Sequence, residues 1–176
     1  MSECIKFDLK VAVLSNSAFG PAEISQLSEA ISDDYAQCQI LRDAVAELEA
    51  GEERSPATAV RLGVCLYLLG RYEQAVETLS NADGGAVAHY FLGKSHFSLE
   101  AYDEAIECYR AAKVAGYNGD LCELAVTEAL RYAERVDEAM EHLDQLFGPV
   151  EQTAEYLYQR AATVAACDAA RRPGAT

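Results

Sequence analysis

Residues 102–119 read YDEAIECYRAAKVAGYNG, and part of this stretch returns as VDEAME at residues 136–141, 34 positions later. An acidic pair followed by alanine recurs in the same order, with Ala105 and Ala139 at matching places. Self-similarity at a fixed period is typical of a chain built from one repeated structural unit. The stretch therefore predicts a repeat protein.

Three segments of the chain share one skeleton of small and large residues. The segments are Ala59-x2-Leu62-Gly63-x2-Leu66 with Ala75-x3-Leu79, His89-x2-Leu92-Gly93-x2-His96 with Ala105-x3-Tyr109, and Glu123-x2-Val126-Thr127-x2-Leu130 with Ala139-x3-Leu143. Each has helical periodicity on both sides of a short break, which predicts two helices. Small residues such as Gly93 and Ala105 allow the two helices to approach closely. The predicted unit is a helical hairpin.

This skeleton resembles the tetratricopeptide repeat, a 34-residue antiparallel helix pair. The resemblance implies an all-α fold in which antiparallel helix pairs stack into a right-handed superhelical solenoid. The chain departs from the family pattern because it has no Trp and because Thr127 replaces the usual glycine. The strongest match, over residues 86–119, carries the family's signature residues at Leu92, Gly93, Tyr102, Ala105, Tyr109 and Ala112.

The resemblance also predicts where the repeats begin and end. The expected repeats are residues 56–85, 86–119 and 120–153, preceded by a degenerate leading repeat over 21–55. The first of the three is short, because Ala75 and Ala105 are 30 rather than 34 positions apart. Four residues are about one helical turn, so the loss is expected to shorten the second helix without rotating its apolar face.

The two ends of the chain are less regular. Residues 154–176 are expected to form a C-terminal helix and tail, either a cap or the first half of a further repeat. Residues 1–20 contain IKFDLKVAVL, which alternates like a strand but has no predicted sheet to join. That segment stays unassigned.

Composition excludes several classes of partner. With 29 acidic and 14 basic residues, the formal net charge is −15, which repels a phosphate backbone and an anionic membrane surface. We therefore predict neither nucleic acid nor membrane as a partner. The six cysteines contain no C-x-x-C pair, which favours small buried residues in a reducing compartment over a disulfide or zinc framework. A cytoplasmic location is predicted.

The sequence contains no pattern that predicts catalysis. His89 and His96 would lie about 10.5 Å apart along a helix, too far for one metal ion to hold both. The acidic pairs at 103–104 and 137–138 recur at the same place in the unit, which favours helix starts over catalytic carboxylates. We therefore predict no enzyme activity, no cofactor and no metal site. An unexpected ligand at His89, His96 or Cys65 would indicate the enzyme alternative.

The resemblance does imply a binding surface. In the family, the first helix of each pair lines the concave face of the superhelix. Matching those positions gives a predicted peptide-binding face of Val60, Arg61, Val64, Tyr67, Tyr90, Phe91, Lys94, Phe97, Leu124, Glu128, Arg131, Tyr132 and Tyr158. The alternative is that several of these residues pack against neighbouring repeats.

The charges of this face predict the kind of ligand. Three basic residues, Arg61, Lys94 and Arg131, accompany the single acidic residue Glu128. A neutral to positive groove suits an extended or helical segment with apolar anchors and one carboxylate. The alternative is that Glu128 and Arg131, three positions apart on one helix, pair with each other.

These observations favour a non-catalytic scaffold that binds a peptide or helix of another protein. The alternative function is that of a small acidic chaperone for secreted or translocator proteins, a class of similar size and charge. The last predicted helix, AEYLYQRAATVAACDAA, carries little charge after Arg160 until Asp168, which predicts self-association through the C-terminal helix. The other interpretations are a native protein that continues beyond this helix and an alanine-rich helix that tolerates water.

Overall fold

The computed structural model describes residues 7–15, 17–51, 55–82 and 84–171, and the regular structure in these ranges is helical. No β-strand occurs in them, so the predicted all-α class is confirmed. A short 3₁₀ helix, Pro149–Gln152, precedes the last α-helix. The α-helices are α1 Leu9–Leu14, α2 Pro21–Asp33, α3 Tyr35–Glu49, α4 Pro56–Leu68, α5 Tyr72–Ser80, α6 Ala86–Ser98, α7 Tyr102–Val114, α8 Gly119–Tyr132, α9 Val136–Asp144 and α10 Ala154–Ala170.

Helices that follow each other in the chain also pack against each other. The pairs α4–α5, α6–α7 and α8–α9 form hairpins, and contacts of α5 with α6 and of α7 with α8 join one hairpin to the next. Alternate helices meet as well, since α4 contacts α6 and α8 contacts α10. Packing between near neighbours along the chain is the property that defines a solenoid. The predicted stack of tetratricopeptide-type helix pairs is confirmed.

The helix boundaries follow local signals in the sequence. The Ser55 hydroxyl accepts a hydrogen bond from the backbone N–H of Thr58, and Pro56 occupies the first turn of α4. Asp103 and Glu104 lie in the first turn of α7, as predicted. The predicted shortening does not set α5 apart, because α5 and α9 both have 9 residues and α7 has 13. The short α5 packs against both α4 and α6.

Part of the strand-like stretch near the amino terminus, Leu9–Leu14, forms a helix. Asp8 caps α1 by accepting a hydrogen bond of 3.0 Å from the backbone N–H of Val11. Leu9 and Val13, four residues apart, are both buried and pack in the cluster that contains Leu41 of α3. Burial of one helical face against α3 therefore outweighs the alternating pattern, because the described ranges contain no strand with which it could pair.

The three loops inside the hairpins share one backbone conformation. The residues Gly70, Glu100 and Glu134 have φ angles of 73°, 62° and 62°. In each loop the next backbone N–H donates a hydrogen bond of 2.9 Å to the carbonyl five residues earlier. This closure is the Schellman motif, whose left-handed position favours glycine. Two of the three loops therefore hold a glutamate in a conformation that costs a non-glycine residue energy.

We expect Glu134→Gly to stabilise the protein. The left-handed conformation costs an L-residue roughly 1–2 kcal/mol, part of which the entropy of glycine offsets, so the free energy of unfolding should rise by about 0.5 to 1 kcal/mol. Chemical denaturation followed by circular dichroism measures the change. Gly70→Ala is the matched control and should lower stability, whereas a Glu134→Gly variant weaker than wild type would contradict the assigned loop conformation.

The interior of the protein runs along the stack of helices. One buried cluster joins α1 to α5 around Leu27, Leu41 and Leu62, and others follow along α4 to α10. Within the described ranges, no helix has both the length and the hydropathy of a membrane span.

Candidate functional site

Two adjoining depressions lie along the first helices of successive hairpins. The first has a volume of about 470 Å³ and is bounded by α2, α4, α5 and α6. The second has a volume of about 410 Å³ and is bounded by α6, α7, α8 and α10. Tyr90 and Lys94 of α6 line both of them. We call the two depressions together the groove.

The first depression, which we call the apolar depression, is walled mainly by aliphatic and aromatic side chains. The rings of Tyr67 and Phe91 meet edge to face with centroids 5.5 Å apart, and Tyr72 lies 5.7 Å from Tyr67. Lys94 is the charged residue of its lining. Contacts between these rings hold the walls in place, so a ligand would meet a largely preformed surface. The lining is Pro21, Ile24, Ser25, Ser28, Ile31, Tyr67, Leu68, Tyr72, Tyr90, Phe91 and Lys94.

The second depression, which we call the acidic depression, carries two carboxylates. Glu128 of α8 and Glu155 of α10 line it together with Tyr158, whose surface is 58% exposed. The amide of Gln159, which is 1% exposed, donates a hydrogen bond of 3.0 Å to Glu155 and accepts one of 3.2 Å from Arg131. Glu155 is therefore held in position by a buried polar contact between α8 and α10.

Lys94 occupies the junction of the two depressions. Its Nζ atom lies 5.6 Å from the centroid of the Tyr67 ring and 5.8 Å from that of Tyr90, within the range of cation–π attraction. Burial lowers the pKa of Lys94, and the more distant charges of Glu128 and Glu155 oppose that shift only in part. Lys94 forms no salt bridge with a carboxylate in the described part of the chain.

The tyrosines beside Lys94 are fixed and neutral. Tyr90 stacks on Tyr117 at a centroid distance of 4.1 Å and meets Phe91 edge to face at 5.7 Å. Burial raises the pKa of Tyr67 to about 12 and also raises the pKa of Tyr90. Both phenols therefore keep their protons at neutral pH, so neither adds a negative charge beside Lys94.

Seven of the residues predicted to bind a peptide line the groove. Two of them form its floor, since Phe91 is 6% exposed and Leu124 is 2% exposed. The others present more surface to the depressions. The seven are Tyr67, Tyr90, Phe91, Lys94, Leu124, Glu128 and Tyr158.

The predicted contribution of α4 to the open face is largely absent. Arg61 is 5% exposed, donates a hydrogen bond of 2.6 Å to the carbonyl oxygen of Ser17 and lies 5.0 Å from the Phe19 ring. Val64 is fully buried, and Val60 packs against the same cluster with Phe19. The segment before α2 covers this part of α4, so Val60, Arg61 and Val64 contribute to packing in place of the predicted ligand surface.

Three further predicted residues lie outside the groove. Phe97 packs between Tyr102 and Tyr132, with centroids 5.5 Å and 5.2 Å away, in a ring cluster that joins α6, α7 and α8. The guanidinium of Arg131 lies 4.8 Å from the Tyr132 ring and 3.9 Å from Glu128. The predicted alternative, in which Glu128 and Arg131 pair with each other, describes this contact.

The charge of the groove therefore differs from the predicted one. Arg61 and Arg131 do not line it, whereas Glu155 does, so Lys94 is accompanied by two carboxylates in the acidic depression. The sequence alone did not identify Ile24, Ser25 and Ile31 of α2 as one wall. Ile24 and Ile31 are seven positions apart, which is typical of one helical face, but that spacing does not indicate which neighbour the face would contact.

Known proteins resemble the chain at the level of fold and repeat. A family model described as anaphase-promoting complex, cyclosome, subunit 3 matches residues 34–112, from α3 to α7. The solved structure of the MamA RS-1 ArsTM double mutant is similar with a TM-score of 0.50 and 14% sequence identity, over 88% of this chain and 99% of that one. No curated protein matches the chain. Both matches are of the tetratricopeptide-repeat type.

Proposed function

Because this chain has the fold of stacked tetratricopeptide-type helix pairs, we propose that it is a non-catalytic scaffold that binds a peptide or helix of another protein in the groove. Repeats of this type support protein interaction in general. The observation that carries the finer proposal is that the two depressions adjoin, since Tyr90 and Lys94 line both of them. Two adjoining depressions that combine aromatic and aliphatic side chains with a few charges suit a segment of chain better than a small molecule.

The binding role of the groove can be tested by a substitution that fills the apolar depression. We expect Ser25→Trp, which places an indole at the exposed edge of the apolar depression, to weaken a groove-binding peptide by about tenfold or more. The peptide is selected from a displayed library of 16-residue sequences, and its affinity is measured by fluorescence anisotropy. Gln26→Trp, on an exposed position of α2 outside the lining, is the control and should leave the affinity unchanged. Equal affinities for both variants would remove the groove from the proposal.

The chaperone alternative requires a different client. A chaperone for secreted or translocator proteins would keep an apolar client soluble, whereas a scaffold would bind a folded partner through one short segment. Suppression of the aggregation of an apolar client by the protein, measured by light scattering, separates the two functions. We favour the scaffold, because the apolar depression has the size of a few side chains.

We propose that the protein functions in a reducing compartment. Within the described residues the cysteines, five in number, are all free, and Cys4 lies outside those residues. Burial raises the pKa of the Cys65 thiol to about 12, so this cysteine is unreactive as a nucleophile. A cytoplasmic location agrees with these thiols.

We also propose self-association through α10. Leu157 and Val164, seven residues apart on one face, are 57% and 43% exposed, and Ala161 lies between them. We expect wild-type protein to show a mass that increases with concentration in light scattering, and Val164→Glu to remain monomeric. Exposed Val114 on α7 supplies the control variant Val114→Glu. A monomer at every concentration in all three proteins would contradict the proposal.

A further inference from the structure

Lys94 is a partly buried cation that lacks an internal counter-charge. Two tyrosine rings flank its Nζ atom, and no described carboxylate lies within salt-bridge distance. The other two lysines that the structure describes are paired, Lys10 with Glu47 and Lys113 with Glu123. Loss of hydration at an ammonium group costs free energy unless a partner replaces the water. The groove therefore contains a cation whose favourable partner is an anion from outside.

The carboxylates of the groove do not fill that role. Glu128 lies 3.9 Å from Arg131, and Glu155 accepts a hydrogen bond from Gln159. Both line the acidic depression, on one side of Lys94, whereas the lining of the apolar depression on the other side carries no carboxylate. Along the groove, the order is thus an apolar surface, a cation and two anions.

We propose that Lys94 binds the side-chain carboxylate of an Asp or Glu within the partner segment. This inference rests on the proposed function, because it assigns the chemistry of the ligand to the same groove. An apolar side chain on one side of that acid fills the apolar depression. A Lys or Arg on the other side meets Glu128 and Glu155. The side chains of the ligand are therefore apolar, then acidic, then basic in spatial order along the groove.

The position of Lys94 favours an internal acid over a terminal carboxylate. Lys94 lines both depressions, one of which is otherwise bounded by α2, α4 and α5 and the other by α7, α8 and α10. A segment that ends at Lys94 would occupy only one of them, whereas a segment that passes Lys94 buries apolar surface in one and pairs its charge in the other. Such a segment then binds through its carboxylate, its apolar anchor and its basic residue together.

The neighbouring tyrosines favour the binding of the ligand's carboxylate at Lys94. Cation–π contacts with Tyr67 and Tyr90 hold the ammonium between two rings in the free protein. Lys94 therefore loses little side-chain freedom when a carboxylate arrives, and preorganisation of this kind increases affinity. A carboxylate placed instead in the acidic depression would meet two like charges, which disfavours the reversed orientation of the same segment.

The test compares peptides selected by different lysine variants. A displayed library of 16-residue peptides is panned against wild type, Lys94→Met and the control Lys10→Met. We expect wild type and Lys10→Met to enrich peptides with an Asp or Glu close to a large apolar residue, and Lys94→Met to lose the acidic preference. In the best peptide, replacement of the acid by its amide should lower affinity for wild type about tenfold and affinity for Lys94→Met by less than twofold.

Two further comparisons show whether the acidic preference comes from a side chain and whether it depends on Lys94. Peptides with a free and an amidated carboxyl terminus should bind equally, and Lys94→Arg should keep the acidic preference if Lys94→Met proves unstable. An acidic preference that survives in Lys94→Met, or that resides only in the free terminus, would overturn the inference while the scaffold function stands. Absence of any peptide whose binding responds to Ser25→Trp would overturn the scaffold function and this inference with it.

Discussion

Gly93→Leu is expected to melt about 5 to 10 °C below the wild-type protein. A Cβ atom on Gly93 would lie 2.7 Å from Cδ1 and from Cε1 of the Tyr109 ring, and 3.2 Å from the carbonyl oxygen of Ala105. Tyr109 is itself buried, so movement of its ring would disturb the side chains packed around it. The hairpin of α6 and α7 must then open, and overpacking of this kind costs roughly 1–3 kcal/mol or more.

The matched control for this substitution is Gly119→Leu. Gly119 begins α8, and a Cβ atom there would meet only the Cε atom of Lys113, at 3.8 Å. Thermal unfolding followed by circular dichroism at 222 nm measures both variants. We expect a loss of stability only at Gly93. A Gly93→Leu variant that melts with wild type would mean that α6 and α7 do not approach each other as closely as the structure places them.

The repeat could be predicted from the sequence because its determinants are local. Gly93, Ala105 and Tyr109 lie within one hairpin, so the spacing of small and large residues already specifies the contact between α6 and α7. The breaks between the paired helices could be predicted from the same spacing. The left-handed residues Gly70, Glu100 and Glu134 lie at these breaks, and they recur with the same 30- and 34-residue steps as the skeleton.

The binding face could be predicted only in part because it depends on contacts between distant segments. Arg61 has the position of a groove residue within α4, but its neighbours Ser17 and Phe19 come from a segment that lies outside the repeats. Periodicity within one helix cannot indicate that such a segment covers it. Glu155 was missed for a related reason, since its place depends on the buried Gln159 of α10 and on Arg131 of α8.

The burial of Phe91 changes the expected result of a mutation in the groove. The predicted peptide-binding face includes Phe91 and Phe97, so replacing both by alanine would test recognition only if neither side chain belonged to the core. Phe91 instead belongs to a buried cluster with Val64, Leu79 and Ala88, and its ring forms the floor of the apolar depression. A loss of binding in that double variant would therefore not separate recognition from stability.

We expect Phe91→Ala alone to lower the free energy of unfolding by about 3 to 5 kcal/mol, the usual cost of truncating a buried phenylalanine. The rings of Tyr67 and Tyr90, with centroids 5.5 Å and 5.7 Å from that of Phe91, would lose their edge contacts with it. Urea denaturation measures the loss, with Tyr158→Ala as the control on an exposed groove position that should keep wild-type stability. If Phe91→Ala were as stable as Tyr158→Ala, Phe91 would belong to the surface that a ligand covers. If the Phe91→Ala variant is strongly destabilised, packing in the buried cluster fixes the floor of the groove before any ligand binds. The Phe91 side chain then contributes both to the core and to the shape of the site.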